Sequence, residues 1–132
     1  MLKIEEKEKI IIPFLNKLLK ETQEKKVTWE YTQEGHCCFL DMGEKQKDKI
    51  SFIYNKEDEE IEDEYGEKKE ILPNSYILTF KNMFDVDYEI FYSCIPEEEV
   101  FKLFEQLYLL ILDLDKEKEE NFIKKCNFYI NK

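Results

Sequence analysis

The chain is predicted to fold as one α+β domain over residues 1–132, an antiparallel meander of about five strands with an N-terminal helix, two C-terminal helices and an acidic insert at 56–74. Three observations lead there. Apolar spacing changes from a period of 3.6 to a period of 2 after Lys25 and Lys26, then returns to 3.6 after Pro96. The strand-like runs in between are joined by short polar links, which favour antiparallel neighbours over crossovers. With 42% hydrophobic residues, ten Phe, eight Tyr and only three Gly and three Pro, the chain can fill one core and has little linker character.

Residues 3–25 carry Phe14, Leu15, Leu18, Leu19 and Thr22 at the spacing of one buried helical stripe, with Lys17, Lys20, Glu21 and Glu24 on the other side. Pro13 removes an N–H from this run and predicts a kink or a fresh start. Val27, Trp29 and Tyr31 then alternate with Thr28, Glu30 and Thr32 as a strand with one buried face. Gln33, Glu34 and Gly35 make the turn into a second strand at about 36–42. A third strand is expected at 50–54. The insert 56–74 is long for a hairpin loop, a length that belongs to functional or disordered segments, and it has room for a short strand pair around 60–64 and 68–72 turning at Tyr65-Gly66. Tyr76, Leu78 and Phe80 mark a fourth strand, and 87–92 a fifth with apolar residues on both faces, expected to be covered on both sides or to lie where a helix docks. Pro96 opens a helix whose stripe runs Val100, Leu103, Phe104, Leu107, Tyr108, Ile111, Leu114. After the mixed run 116–120, Phe122, Ile123, Cys126, Tyr129 and Ile130 suggest a separate last helix, 126–130 alternatively a strand.

The net charge of −11 is unevenly distributed. Residues 1–55 are neutral, whereas 56–70 and 97–120 each hold nine acids and three lysines. Repulsion within such clusters costs stability, so they are either tolerated on a solvated face or used to attract a basic surface. No arginine is present, and with this charge direct nucleic-acid binding is not expected. The N-terminal residues lack a signal-peptide pattern, and the longest apolar run, 107–112, is too short to span a bilayer. A cytoplasmic protein with no membrane attachment and four reduced cysteines is therefore expected.

The sequence resembles a loose group of small, largely uncharacterised bacterial and phage α+β proteins. The residues that carry the resemblance are Leu18-Leu19 and Thr22 of an LLxxT helix, Trp29-Glu30 of a WE strand, Ile50-Ser51-Phe52, 76–80, and Leu103, Leu107 and Tyr108 of an LxxLY-like helix, within about 14–112. The resemblance implies the meander fold and no particular activity. The insert departs from the group's pattern, so a function of this chain's own is expected there.

Sites of chemistry are sparse. His36, Cys37 and Cys38 are adjacent, but on a strand only His36 and Cys38 share a face, and no CxxC or HxxxH completes a tetrahedral metal site. Asp85/Asp87 and Asp113/Asp115 are carboxylate pairs of the kind that 31 acids in 132 residues make unavoidable. Residues 57–70 do not fit an EF-hand loop. No phosphate loop, GxSxG or HExxH motif is present. Trp29, Tyr31, Phe52 and Tyr54 read as core, with a ligand pocket as the alternative. No enzyme, metal or cofactor is expected.

The expected function is that of a small acidic inhibitor that blocks the basic, nucleic-acid-binding surface of a nuclease or CRISPR effector, as anti-CRISPR or toxin-immunity proteins do. A rigid array of carboxylates can meet the groove's lysines and arginines as phosphates would. The expected contacts are Glu57, Asp58, Glu59, Glu60, Glu62, Asp63, Glu64 and Tyr65, supported by Glu98, Glu105 or Asp113. The alternatives are a small-molecule or peptide-binding module using the sheet face, with the acids serving only solubility, and a housekeeping protein without an inhibitory role.

Overall fold

The period change at Lys25-Lys26 marks a real boundary between helix and sheet. The structure, a computed structural model, describes residues 4–56, 60–62, 69–71 and 74–132. Helix α1 (Ile4–Gln23) precedes the strands β1 (Glu30–Thr32), β2 (Gly35–Leu40), β3 (Asp48–Asn55), β4 (Glu60–Glu62), β5 (Lys69–Ile71), β6 (Ser75–Lys81) and β7 (Asp87–Ser93), and α2 (Glu99–Ile130) closes the chain. The five-stranded sheet runs in the order β1-β2-β3-β6-β7, antiparallel throughout. No helix among the described residues is long and apolar enough to cross a membrane.

Pairing fixes which residues share a face. His36 lies opposite Phe52, Phe52 opposite Leu78, and Leu78 opposite Phe91, so one side of the sheet carries an apolar band. Both helices pack there. Leu15, Ile50, Phe52, Leu78, Phe104, Leu107 and Ile111 are fully buried, and Phe52 stacks within 5.5 Å of the Phe104 ring and 5.7 Å of Tyr76. The expected α1 stripe is the buried one, joined by Ile11, with Phe14 half-buried against Phe80. Thr22, the polar member, donates its hydroxyl to the Leu18 carbonyl at 2.7 Å and accepts the Trp29 indole N–H at 3.1 Å. A buried indole needs such an acceptor.

Gly35 turns the first hairpin. Its φ is +93°, and a Cβ there would meet the Phe52 carbonyl oxygen at 2.7 Å, so this position excludes a side chain on two counts.

Two expectations are narrowed to one of their alternatives and two are corrected. Helix α1 runs through Pro13 without a fresh start. Ile11 and Leu15 anchor the helix on both sides of it, and the ring itself is exposed, where water can reach the carbonyl it leaves unbonded. Tyr31 is 75% exposed, unlike Val27 and Trp29, because β1 is a three-residue edge strand beyond the reach of the helices. On β7 only one face is covered: Phe91 and Ser93 are buried, whereas Tyr88, Ile90 and Tyr92 are about half exposed. Finally, the two expected C-terminal helices are one, α2, of 32 residues, roughly 48 Å long at 1.5 Å per residue. It starts three residues after Pro96. No glycine or proline follows Pro96, and Lys116, Glu117, Lys118, Glu119 and Glu120 are strong helix formers, so nothing breaks the run.

Candidate functional site

A hairpin displays its connection at one end, and the connection between β3 and β6 is the acidic segment. These two strands are two of the three inner members of the sheet, paired from Lys49 with Lys81 to Asn55 with Ser75. Beyond that end, β4 and β5 form a second ladder, Glu60 opposite Ile71, Ile61 opposite Glu70 and Glu62 opposite Lys69. The strand pair expected inside the insert is thus present, three residues on each side. Among the expected contact residues, Glu60 and Glu62 lie on β4. Glu57, Asp58, Glu59, Asp63, Glu64 and Tyr65 lie outside the described residues.

The other acidic region is on α2. Glu98, Glu105 and Asp113 are all exposed, and none is ion-paired to a lysine among the described residues. Glu98 stands at the N-cap without a side-chain capping bond.

On the sheet face away from the helices, the carboxylates are compensated. Glu34 Oε2 sits 2.9 Å from Lys81 Nζ and 3.0 Å from Lys49 Nζ. Asp85 and Asp87 approach the same lysines at 3.5 to 4.0 Å. The ammonium of Lys81, then that of Lys49, brings the Glu34 pKa down from 4.5 to about 2. This cluster lies over the small buried residues beneath: the Ser51 hydroxyl is 3.5 Å from Glu34 Oε2 and 3.5 Å from the Cys37 thiol. Sequence reasoning missed it, because its members are far apart in the chain and only the strand register brings them together.

The adjacent triplet separates as strand alternation requires. His36 and Cys38 face the helices and Cys37 the opposite side. Burial pushes the Cys38 thiol pKa up. His36 is 7% exposed, its Nδ1 has no hydrogen-bond partner among the described residues and lies 3.8 Å from Asp115 Oδ2, and Tyr31 covers its ring edge-on at 5.0 Å. Burial lowers the His36 pKa below 6.5, with Asp115 opposing the shift. Among the described residues no group of three or more His, Cys, Asp or Glu is placed to hold a metal ion. The carboxylate pairs do not face each other: Asp85 and Asp87 lean on Lys81, and Asp115 leans on His36 while Asp113 points to solvent.

The aromatic candidates divide. Trp29 and Phe52 are core, Tyr54 packs on Tyr76 and Tyr108 at 4.7 and 4.9 Å, and Tyr31 is exposed. An open cleft of about 570 Å³ lies between the start of α1, β7 and the start of α2, lined by Lys7, Ile11, Ile90, Tyr92 and Glu98. Comparison of the chain with family models, curated proteins and solved structures finds no match in any of the three.

Proposed function

We propose that this protein is a non-enzymatic acidic binding protein that docks on a basic surface of a protein partner through the tip of its central hairpin. The observation that carries the reading is the β4–β5 ladder within the acidic segment, at the end of the inner strand pair. Carboxylates delivered from paired strands lose less freedom on docking than those on an unpaired loop, so more of the Coulomb attraction is retained as affinity. The contrast with Glu34 supports it. Carboxylates on the sheet face already have lysine partners, whereas 56–70 has six more acids than lysines and needs cations from elsewhere. A groove that binds nucleic acid is such a source, which makes a nuclease or CRISPR-type effector the favoured partner class and inhibition the favoured outcome.

The test is affinity capture on the immobilised chain at low and high salt, beside a variant with Glu57, Asp58, Glu59, Glu60, Glu62 and Asp63 all changed to Gln. The native chain is expected to retain a basic nucleic-acid-binding protein at low salt, release it at high salt and inhibit its activity. Equal capture by the variant would overturn the reading. The second reading, a small-molecule or peptide-binding module, draws on the cleft beside β7, and capture lost with Ile90→Glu but not with the six Gln changes would favour it.

A further inference from the structure

Helix α2 outruns the body it packs on. Its buried residues end at Ile111, and the side chains that tie it to the rest end shortly after, with Glu117 bonded to Lys25 and Lys118 to the Trp29 carbonyl. Beyond them Phe122, Ile123, Tyr129 and Ile130 are 56 to 77% exposed. Of these, Phe122 and Tyr129 lie on the side of the helix that is buried earlier. Phe122 follows Phe104, and Tyr129 follows Ile111, by eighteen residues, or about five full turns at 3.6 residues each. The charged Asp115 and Lys118 interrupt this side, and apolar residues resume on it past the last element able to cover them.

Charge selects what covers it. Residues 121–132 hold three lysines and no acid, net +3, while 113–120 hold five acids and two lysines, net −3. Two copies of α2 laid side by side in parallel would set +3 on +3. Laid antiparallel about Phe122, each basic tip lies on the acidic stretch of the other copy, and the charges cancel twice. The landing place is a groove of about 830 Å³ between α2 and β1, with Leu112, Asp115, Lys116, Lys118 and Glu119 on one wall and Glu30 and Tyr31 on the other. Leu112 and Tyr31, at 40 and 75% exposure, present apolar surface to that groove. An antiparallel helix centred on Phe122 spans that groove, with Lys125 opposite Glu119 and Tyr129 opposite Asp115.

We infer that the chain forms a two-fold symmetric dimer in which the copies exchange the ends of α2, each tip lying antiparallel in the groove between α2 and β1 of the other. This does not rest on the acidic hairpin. The test is sedimentation equilibrium of the full chain. A dimer is expected, and Phe122→Glu with Tyr129→Glu should give a monomer with unchanged helix content, since both side chains are exposed. Lys125→Glu alone and Glu119→Lys alone should each weaken dimerisation about five- to tenfold, the two contacts per dimer being lost together. The two changes combined in one chain should restore it. A native chain that is monomeric at every concentration, a dimer indifferent to the Phe122 and Tyr129 changes, or a charge swap that fails to restore pairing would each overturn the inference. A monomer whose tip instead binds vesicles of anionic phospholipid would overturn it in favour of a lipid surface.

Discussion

Both halves of α2 carry apolar residues on one side, and these meet opposite fates. In the first half Phe104, Leu107 and Ile111 are at 0% exposure against the sheet and α1, while in the second half Phe122 and Tyr129, on the same side of the helix, are at 66 and 77%. Each half taken alone has the apolar spacing of a helix with one face to cover. What differs is what lies opposite. Burial is a property of pairs of surfaces, and an amphipathic stripe states only that a second surface is needed.

The comparison can be broken most severely at its buried end. Phe104→Ala removes a ring that touches Phe52 and Tyr76 and should cost about 3–5 kcal/mol in urea denaturation. Thr22→Val keeps the shape of the α1 stripe but takes the acceptor from the buried Trp29 indole, and about 1–3 kcal/mol should be lost.

Titration acts at the edges of the same core. The folded His36 pKa is depressed, so the unfolded chain binds the proton more readily and stability falls as pH drops below 6.5. His36→Phe should flatten that slope. Glu34 is also depressed, so its contribution is present above 4.5 and is lost as pH falls towards about 2, and Glu34→Gln should remove that part of the acid limb in melts followed by circular dichroism. The smallest effect belongs to the bare half. Phe122→Ala should change monomer stability by under about 0.5 kcal/mol when measured at high dilution, and a loss as large as that at Phe104 would mean that the tip packs on its own body.

Much of the fold was legible. Tyr76, Leu78 and Phe80 alternate inward as their spacing implied, Gly35 sits where only glycine fits, and a ladder forms inside the insert where two short strands were expected. Legibility failed where neighbours distant in sequence decide. Pro13 starts no new helix, because packing holds the chain on both sides of it. Tyr31 was misplaced because alternation tells which face a residue shares and not whether a helix extends over it. Within the candidate site, the sequence pointed to the acidic segment by charge alone, and Glu60 and Glu62 were found on paired backbone. The Glu34 cluster carried no signal, since its lysines come from two other strands.

Composition and periodicity alone determined the α+β class, the strand succession and the two concentrations of negative charge, because each is a local property of side-chain type and spacing. Only the tertiary structure decided that α2 is one helix reaching past its support, which carboxylates find lysines on the sheet, and which apolar residues stay bare. Those outcomes depend on the extent of one element measured against another, a length comparison that no window of sequence contains.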